Sequence, residues 1–342
     1  MTRGAICDTL INMKTSIHSR IIGWLFRFLQ VQFFITTVSL PILASWGLPF
    51  SLLSPLGNLL FLPVLVLFLF LSSIIFFLEL CCIPNGIFIY FLEKITSWWT
   101  SALSFGNGTW YLIGLGTPPK LFLILVPLFA FLIISHKKTN SVRRSIILLA
   151  LLLTTSVLYL KLLHKPHTLF ETIACNGGQV TILRTKNKTA VIDQGFVGKK
   201  ISAPSWVEYT LIPEIIKKTG SNTIDHLIVL QPGIMTFRAL EKLSGTMNIG
   251  TLYLPAWKGT LNKNGWRSFF FMKRALEKQG THIVRIGNQK KRIPLTQNDN
   301  IVIESTGQNL SYQEATYPAL LATGQIDNKT FTLYSAKWKG TE

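Results

Sequence analysis

The chain has 342 residues, room for two domains of ordinary size; 49% of them are apolar and only 14% charged. That hydrophobicity excludes a wholly water-soluble protein and places the chain in a membrane. The net charge of +19 has two readings, a topology signal with attraction to anionic lipid or a nucleic-acid surface.

The composition divides sharply. Residues 21–163 are dominated by apolar side chains, whereas 164–342 read as an ordinary globular domain. Residues 164–342 hold 23 Lys and Arg against 12 Asp and Glu, residues 1–163 hold 11 against 3. The fold class expected is a polytopic α-helical membrane domain, 1–163, followed by a soluble α/β domain, 164–342.

In chain order, the basic start (Arg3, Lys14, Arg20, Arg27) leads into "RIIGWLFRFLQ", an amphipathic stretch suited to the interface. A first span is expected over 31–48, with Pro41 inside it, and a second over 59–82, the strongest apolar run in the chain. Residues 85–105 carry Glu93 and Lys94 mid-segment, which leaves two readings: an interfacial helix with a Trp98–Trp99 belt, or a span with its charges turned inward. Spans follow at 121–135 and 145–163, giving four or five in all. Between the last two lies "HKKTNSVRR", a short basic loop that belongs in the cytoplasm. The soluble domain then emerges extracytoplasmically. For the basic N-terminus to lie inside as well, 85–105 must cross. Pro41, Pro55 and Pro63 suggest proline-broken helices, which either line a water-filled path or simply reflect the frequency of proline in membrane helices.

The soluble part alternates periods. "QVTILRT" and "TAVIDQG" predict a hairpin around "KNK". Helices are predicted over "WVEYTLIPEIIKKTG", stopped by Gly220, then "TFRALEKLSG" and "SFFFMKRALEKQG". Strands are predicted at "DHLIVLQP", "IGTLYLP", "THIVRIG", "NIVIEST", "ALLATGQ" and "FTLYSA". This is a layered α/β pattern. The histidines (His164, His167, His226, His282) have no carboxylate cluster beside them. Cys7, Cys81, Cys82 and Cys175 show no metal or disulfide spacing. There is no phosphate loop and no nucleophile elbow.

Two stretches carry a family resemblance. "SLPILASWGLPFSLLSPLGNLLFLPV", with Pro41, Ser54, Pro55, Asn58 and Pro63, looks like a segment near the end of the competence region of the ComEC family. "NGGQVTILRTKNKTAVIDQG" and "TIDHLIVLQPGIMTFRALEKL" are similar in order to the metallo-β-lactamase-like (αββα) domain that follows it in many members. The resemblance implies a bacterial inner-membrane protein that moves single-stranded DNA during transformation. The family's metal motif sets a His before the strand-end proline, then Asp, Asp and His. Those positions here are Gln231, Gly233, Met235 and Thr236, and the bridging Asp position is Ala336. Asn176 and Thr181 replace acidic residues of the opening motif. None of these holds Zn²⁺, so no cofactor and a non-catalytic domain are expected.

By the same resemblance the chain is short, lacking a small extracytoplasmic β domain and earlier spans, so other uptake subunits are expected to supply them. Lys199–Lys200, Lys217–Lys218 and Lys290–Lys291–Arg292 are candidate contacts to the DNA backbone. The rival readings are a membrane-anchored nuclease or hydrolase and a vestigial structural membrane protein.

Overall fold

The computed structural model describes residues 3–51, 53–105, 112–136, 142–163, 168–175, 178–185, 188–194, 202–296, 299–312, 314–326 and 329–334. The chain forms two compact units. One comprises Met1–Leu43, Ser51–Tyr111 and Pro118–Tyr159; the other comprises Ala44–Phe50, Leu112–Thr117 and Leu160–Glu342.

The first unit is helical: α1 Arg3–Trp46, α2 Ser54–Leu80, α3 Gly86–Phe105, α4 Lys120–Ser135 and α5 Val142–Leu163. Pro55 sits in the first turn of α2, where a missing N–H costs nothing and the fixed φ favours helix. The helix ends at Cys81, and Cys82 turns the chain with φ of 53°. Among the described residues three stretches are long and apolar enough to cross a membrane: Ile22–Trp46, Gly57–Leu80 and Val142–Leu163. The 24 residues of the second reach about 36 Å, beyond the ~30 Å hydrocarbon core. Only 6% of its apolar window is buried; a helix apolar on every side and covered by so little protein has the composition of a membrane span. Its hydroxyls return to their own backbone, as hydrocarbon demands: Ser73 donates to the Leu69 carbonyl at 2.8 Å. On α1, Thr37 does the same to Phe33 at 2.7 Å.

Three expectations change here. The amphipathic stretch at 20–30 is continuous with the first span inside α1. Pro41 and Pro63 lie within unbroken helices, because proline deletes one ladder bond without removing the neighbouring ones. Finally, α3 is not among the three spanning stretches, and the 16 residues of α4 reach only about 24 Å.

The second unit is built on two sheets. A mixed six-stranded sheet has the order β3 (Leu169–Cys175), β4 (Gly178–Thr185), β5 (Lys188–Asp193), β6 (Thr223–Val229), β7 (Asn248–Pro255), β8 (His282–Ile286). β3, β4 and β5 run antiparallel to one another, then β5 to β8 run parallel. An antiparallel four-stranded sheet follows, in the order β12 (Lys329–Tyr334), β11 (Ala315–Ile326), β10 (Asn300–Tyr312), β9 (Lys291–Pro294). The predicted β4–β5 hairpin is present, its register running from Thr185↔Lys188 to Val180↔Asp193. β3 and β9 were not predicted.

Side-chain parity builds two cores. Ile182, Val191, Leu227 and Leu252 point to one face of the large sheet, where helices cover them. Their sequence neighbours Leu183, Ile192, Ile228 and Tyr253 point to the other, against Ile293, Ile301, Ile303, Leu320 and Ala322 of the small sheet. The order of layers is helix, sheet, sheet. The helical layer comprises α6 (Ala203–Trp206), a π-helical turn over Val207–Leu211, α7 (Ile212–Thr219), α8 (Ile234–Ser244) and α9 (Lys263–Lys278). Gly220 ends α7 in the left-handed conformation, φ 63°, as predicted.

Two loops of the N-terminal half belong to this unit. Asn222 donates its side-chain amide to the Leu112 carbonyl at 2.8 Å. Gly47, at φ 71°, lies so close to α7 that an added Cβ would stand 2.2 Å from the Pro213 carbonyl oxygen. Only glycine satisfies both that φ and that approach. The short strands β1 (Phe50–Ser51) and β2 (Leu112–Ile113) pair with each other.

Candidate functional site

In the helical unit the singled-out residues converge on one polar pair. Asn58, one turn into α2, donates to Gln32 Oε1 on α1 at 2.8 Å. An amide pair between two apolar helices is oriented by the lack of other partners in hydrocarbon. Pro55 is buried three residues earlier, Ser54 is exposed, and Pro63 is exposed further along α2. Pro41 is buried on α1, and Thr36 and Thr37, a turn past Gln32, are buried as well. Sequence reasoning missed Gln32, although a glutamine that enters an apolar run is itself a signal. Next to this, α2 and α3 enclose an apolar groove of about 260 Å³ lined by Val64, Phe68 and Trp99, with the Phe61 ring tilted at 60° to Trp99, 4.7 Å away.

In the sheet unit the degenerate metal positions lie where β6 runs into α8. Gln231 follows the strand and is 8% exposed, Gly233 precedes α8 in extended conformation, and Thr236 is buried in the first turn. Met235 points outward, 48% exposed. Ala336 and Asn176 lie outside the described residues. Thr181 is buried in β4 and faces Thr172 of β3 across 3.3 Å between hydroxyl oxygens. Gln231 Oε1 is buried without a hydrogen-bond partner. Beside it, Pro232, Phe237, Trp257, Leu261, Ala315 and Tyr317 close on a void of only about 10 Å³. Trp257 stands edge-on to Phe269 at 5.1 Å, and the Arg285 guanidinium covers it at 4.9 Å. This packing and a donor set of amide, hydroxyl and exposed thioether do not fit a zinc centre. Among the described residues no group of three His, Cys, Asp or Glu side chains converges.

A cavity of about 580 Å³ opens at the same end of the strands, between the sheets. Gln179 and Gln194 line it from the β4–β5 hairpin, Thr306 and Gln308 from β10, and Leu333 and Tyr334 from β12. Among the described residues its polar lining is neutral: amides and hydroxyls that donate and accept hydrogen bonds, with no carboxylate or imidazole. These glutamines carried no signal in the sequence beyond their place in "NGGQ" and "IDQG".

Midway along β6, His226 stands 3.5 Å from the Tyr253 hydroxyl (β7), with its Nε2 buried and unpartnered. Burial first, then the Lys188 ammonium, push its pKa below the ordinary value, with Asp225 opposing. Asp225 itself accepts the Thr189 N–H at 2.7 Å. His226 and Gln231 therefore do not share a site.

The basic candidates are largely engaged. Lys217 pairs with Glu214 at 3.2 Å, and Lys218 with Glu171 and, at 3.7 Å, Glu214. Lys290 holds Glu304 at 3.0 Å. Lys291 and Arg292 are exposed on β9, with no ion-pair partner among the described residues, and Lys199 and Lys200 lie outside those residues. No protein-family model matches the chain, and no curated protein matches it at a significant level.

Proposed function

We propose that the chain is a non-catalytic, multi-pass component of a channel that moves single-stranded DNA across the bacterial inner membrane, with other subunits supplying further spans. The observation that carries this reading is the Gln32–Asn58 pair. It ties Asn58, within the stretch that resembles the ComEC competence region, to a second apolar helix through Gln32. Two stacked sheets with helices on one face, three of the four layers of an αββα fold among the described residues, are the support for a degenerate metallo-β-lactamase-like domain, and Lys291 and Arg292 are exposed cations on it for phosphate.

Charge parity supports an extracytoplasmic placement of that domain. If α1, α2 and α5 cross, the N-terminus and the basic loop before α5 both lie in the cytoplasm and the chain exits after α5. The same parity holds if α3 and α4 cross together; one crossing alone breaks it.

The test is uptake of labelled DNA into the cytoplasm of a deletion strain, complemented with wild-type protein or with Asn58→Ala. Loss of uptake on deletion, full rescue by the wild type and poor rescue by Asn58→Ala are expected. Uptake that survives deletion unchanged removes the channel reading.

A further inference from the structure

The sheet unit has few large apolar side chains in water, and they concentrate on its helical layer. Phe270 (58% exposed) and Phe271 (47% exposed) stand side by side on α9. The helix buries Gly265, Ser268, Phe269, Met272 and Leu276 against the sheet. At 100° per residue, Lys263, Arg267, Phe270, Arg274 and Lys278 form a single stripe on the opposite side. Phe270 is thus one turn from an arginine in each direction. Trp266 stacks on Phe270 at 5.6 Å, and the Arg267 guanidinium lies over Phe271 at 5.6 Å, so the aromatics are held in place. α9 carries five cations against one carboxylate, Glu277, which Lys273 holds at 3.5 Å. The stripe cations therefore have no acidic partner among the described residues.

We infer that this face of α9 docks on the anionic headgroups of the bilayer that carries the apolar helices. Phenylalanines flanked by Lys and Arg on one helix face are the pattern of interfacial helices: the rings enter the headgroup–acyl boundary and the cations meet lipid phosphates. A single exposed helix face suits a bilayer surface, whereas a nucleic-acid strand is tracked along a basic groove. Reach is available too. Only residues 164–168 separate the end of α5 at Leu163 from β3 at Leu169, so the domain is tethered within about 20 Å of a membrane-spanning helix. The inference requires membrane anchoring and is independent of DNA transport.

The full-length protein, with its four cysteines replaced by serine and Phe271→Cys carrying an environment-sensitive fluorophore, is placed in nanodiscs of phosphatidylcholine alone or mixed with phosphatidylglycerol. A blue-shifted emission and several-fold quenching by doxyl-labelled lipid are expected in the anionic discs only. Both are lost in molar salt and in Arg267→Glu/Arg274→Glu, and a label at Thr332→Cys stays unquenched. Equal, weak quenching in both lipids overturns the inference. So does a label that ignores lipid and responds to added oligothymidylate, which assigns the face to nucleic acid.

Discussion

The helical unit and the sheet unit meet the same amino acids with opposite solutions. On α2, leucines and phenylalanines such as Leu69, Phe70 and Phe77 are more than half exposed along the whole helix. In the sheet domain, adjacent residues such as Leu227 and Ile228 are both buried because each face of the large sheet has its own cover. The difference lies in the solvent each was built for. A helix with all backbone groups satisfied internally needs no protein cover in lipid, whereas a strand buried on both faces needs two further layers in water.

The comparison breaks most visibly under truncation. Ile228→Ala opens a hole between the sheets and should cost about 2–5 kcal/mol, read as a lowered unfolding midpoint in detergent. Leu69→Ala on α2 should change the same midpoint by within about 0.5 kcal/mol. Equal losses at both positions would mean that α2 is covered by protein after all.

Next in size is Gly47→Val. A side chain there meets the Pro213 carbonyl and a disfavoured φ together, a strain of about 1–3 kcal/mol from the backbone alone. Proteolysis within α7 should accelerate in the variant.

A smaller effect sharpens the account of the helical unit. A double-mutant cycle on Gln32→Leu and Asn58→Leu should give a coupling of about 0.6 kcal/mol, and at most about 2. No coupling would show that the two amides act independently.

The last effect is a slope. The His226 imidazole is held below its ordinary pKa, so in acid the folded protein binds fewer protons than the unfolded chain. Stability is complete above the ordinary value of about 6.5 and falls as pH drops below it. Thermal midpoints measured from about pH 8 to about pH 5 should decline, and His226→Phe should flatten that decline.

How legible this was in the sequence follows from the physics of each element. The strands β4 to β8 announced themselves because two-sided burial makes an unbroken apolar run. β3 did not: it is an edge strand whose Phe170, Thr172 and Ala174 are exposed, so its alternation mimics a loop. β9 has four residues, a proline and one buried side chain, Ile293, too little for any period to register. The stop of α7 was readable at Gly220 because it acts locally, whereas Pro55, read as a break, stands in the first turn of α2. Prolines 41 and 63 misled because a helix spanning tens of residues absorbs one lost hydrogen bond. The candidate site was the least legible part. Gln32 and Asn58 are 26 positions apart, and only the packing of α1 on α2 brings them together. The cavity's glutamines are neutral, and neutral amides leave no mark in charge or hydropathy.

The small sheet holds one further lesson in its register. Between Ser305↔Leu320 and Asn309↔Pro318, β10 advances four residues while β11 advances two. The two surplus residues loop out beside the cavity at Thr306–Gln308, with Gly307 at φ 78°, and because their number is even the strand resumes with its inner and outer faces unexchanged. Length changes at this hairpin are therefore quantised. Insertions or deletions in pairs reshape the cavity mouth and leave the pleat in phase, while a single-residue change turns everything from Asn309 to Tyr312 inside out. The rim can thus drift in evolution while the sandwich beneath it stays fixed.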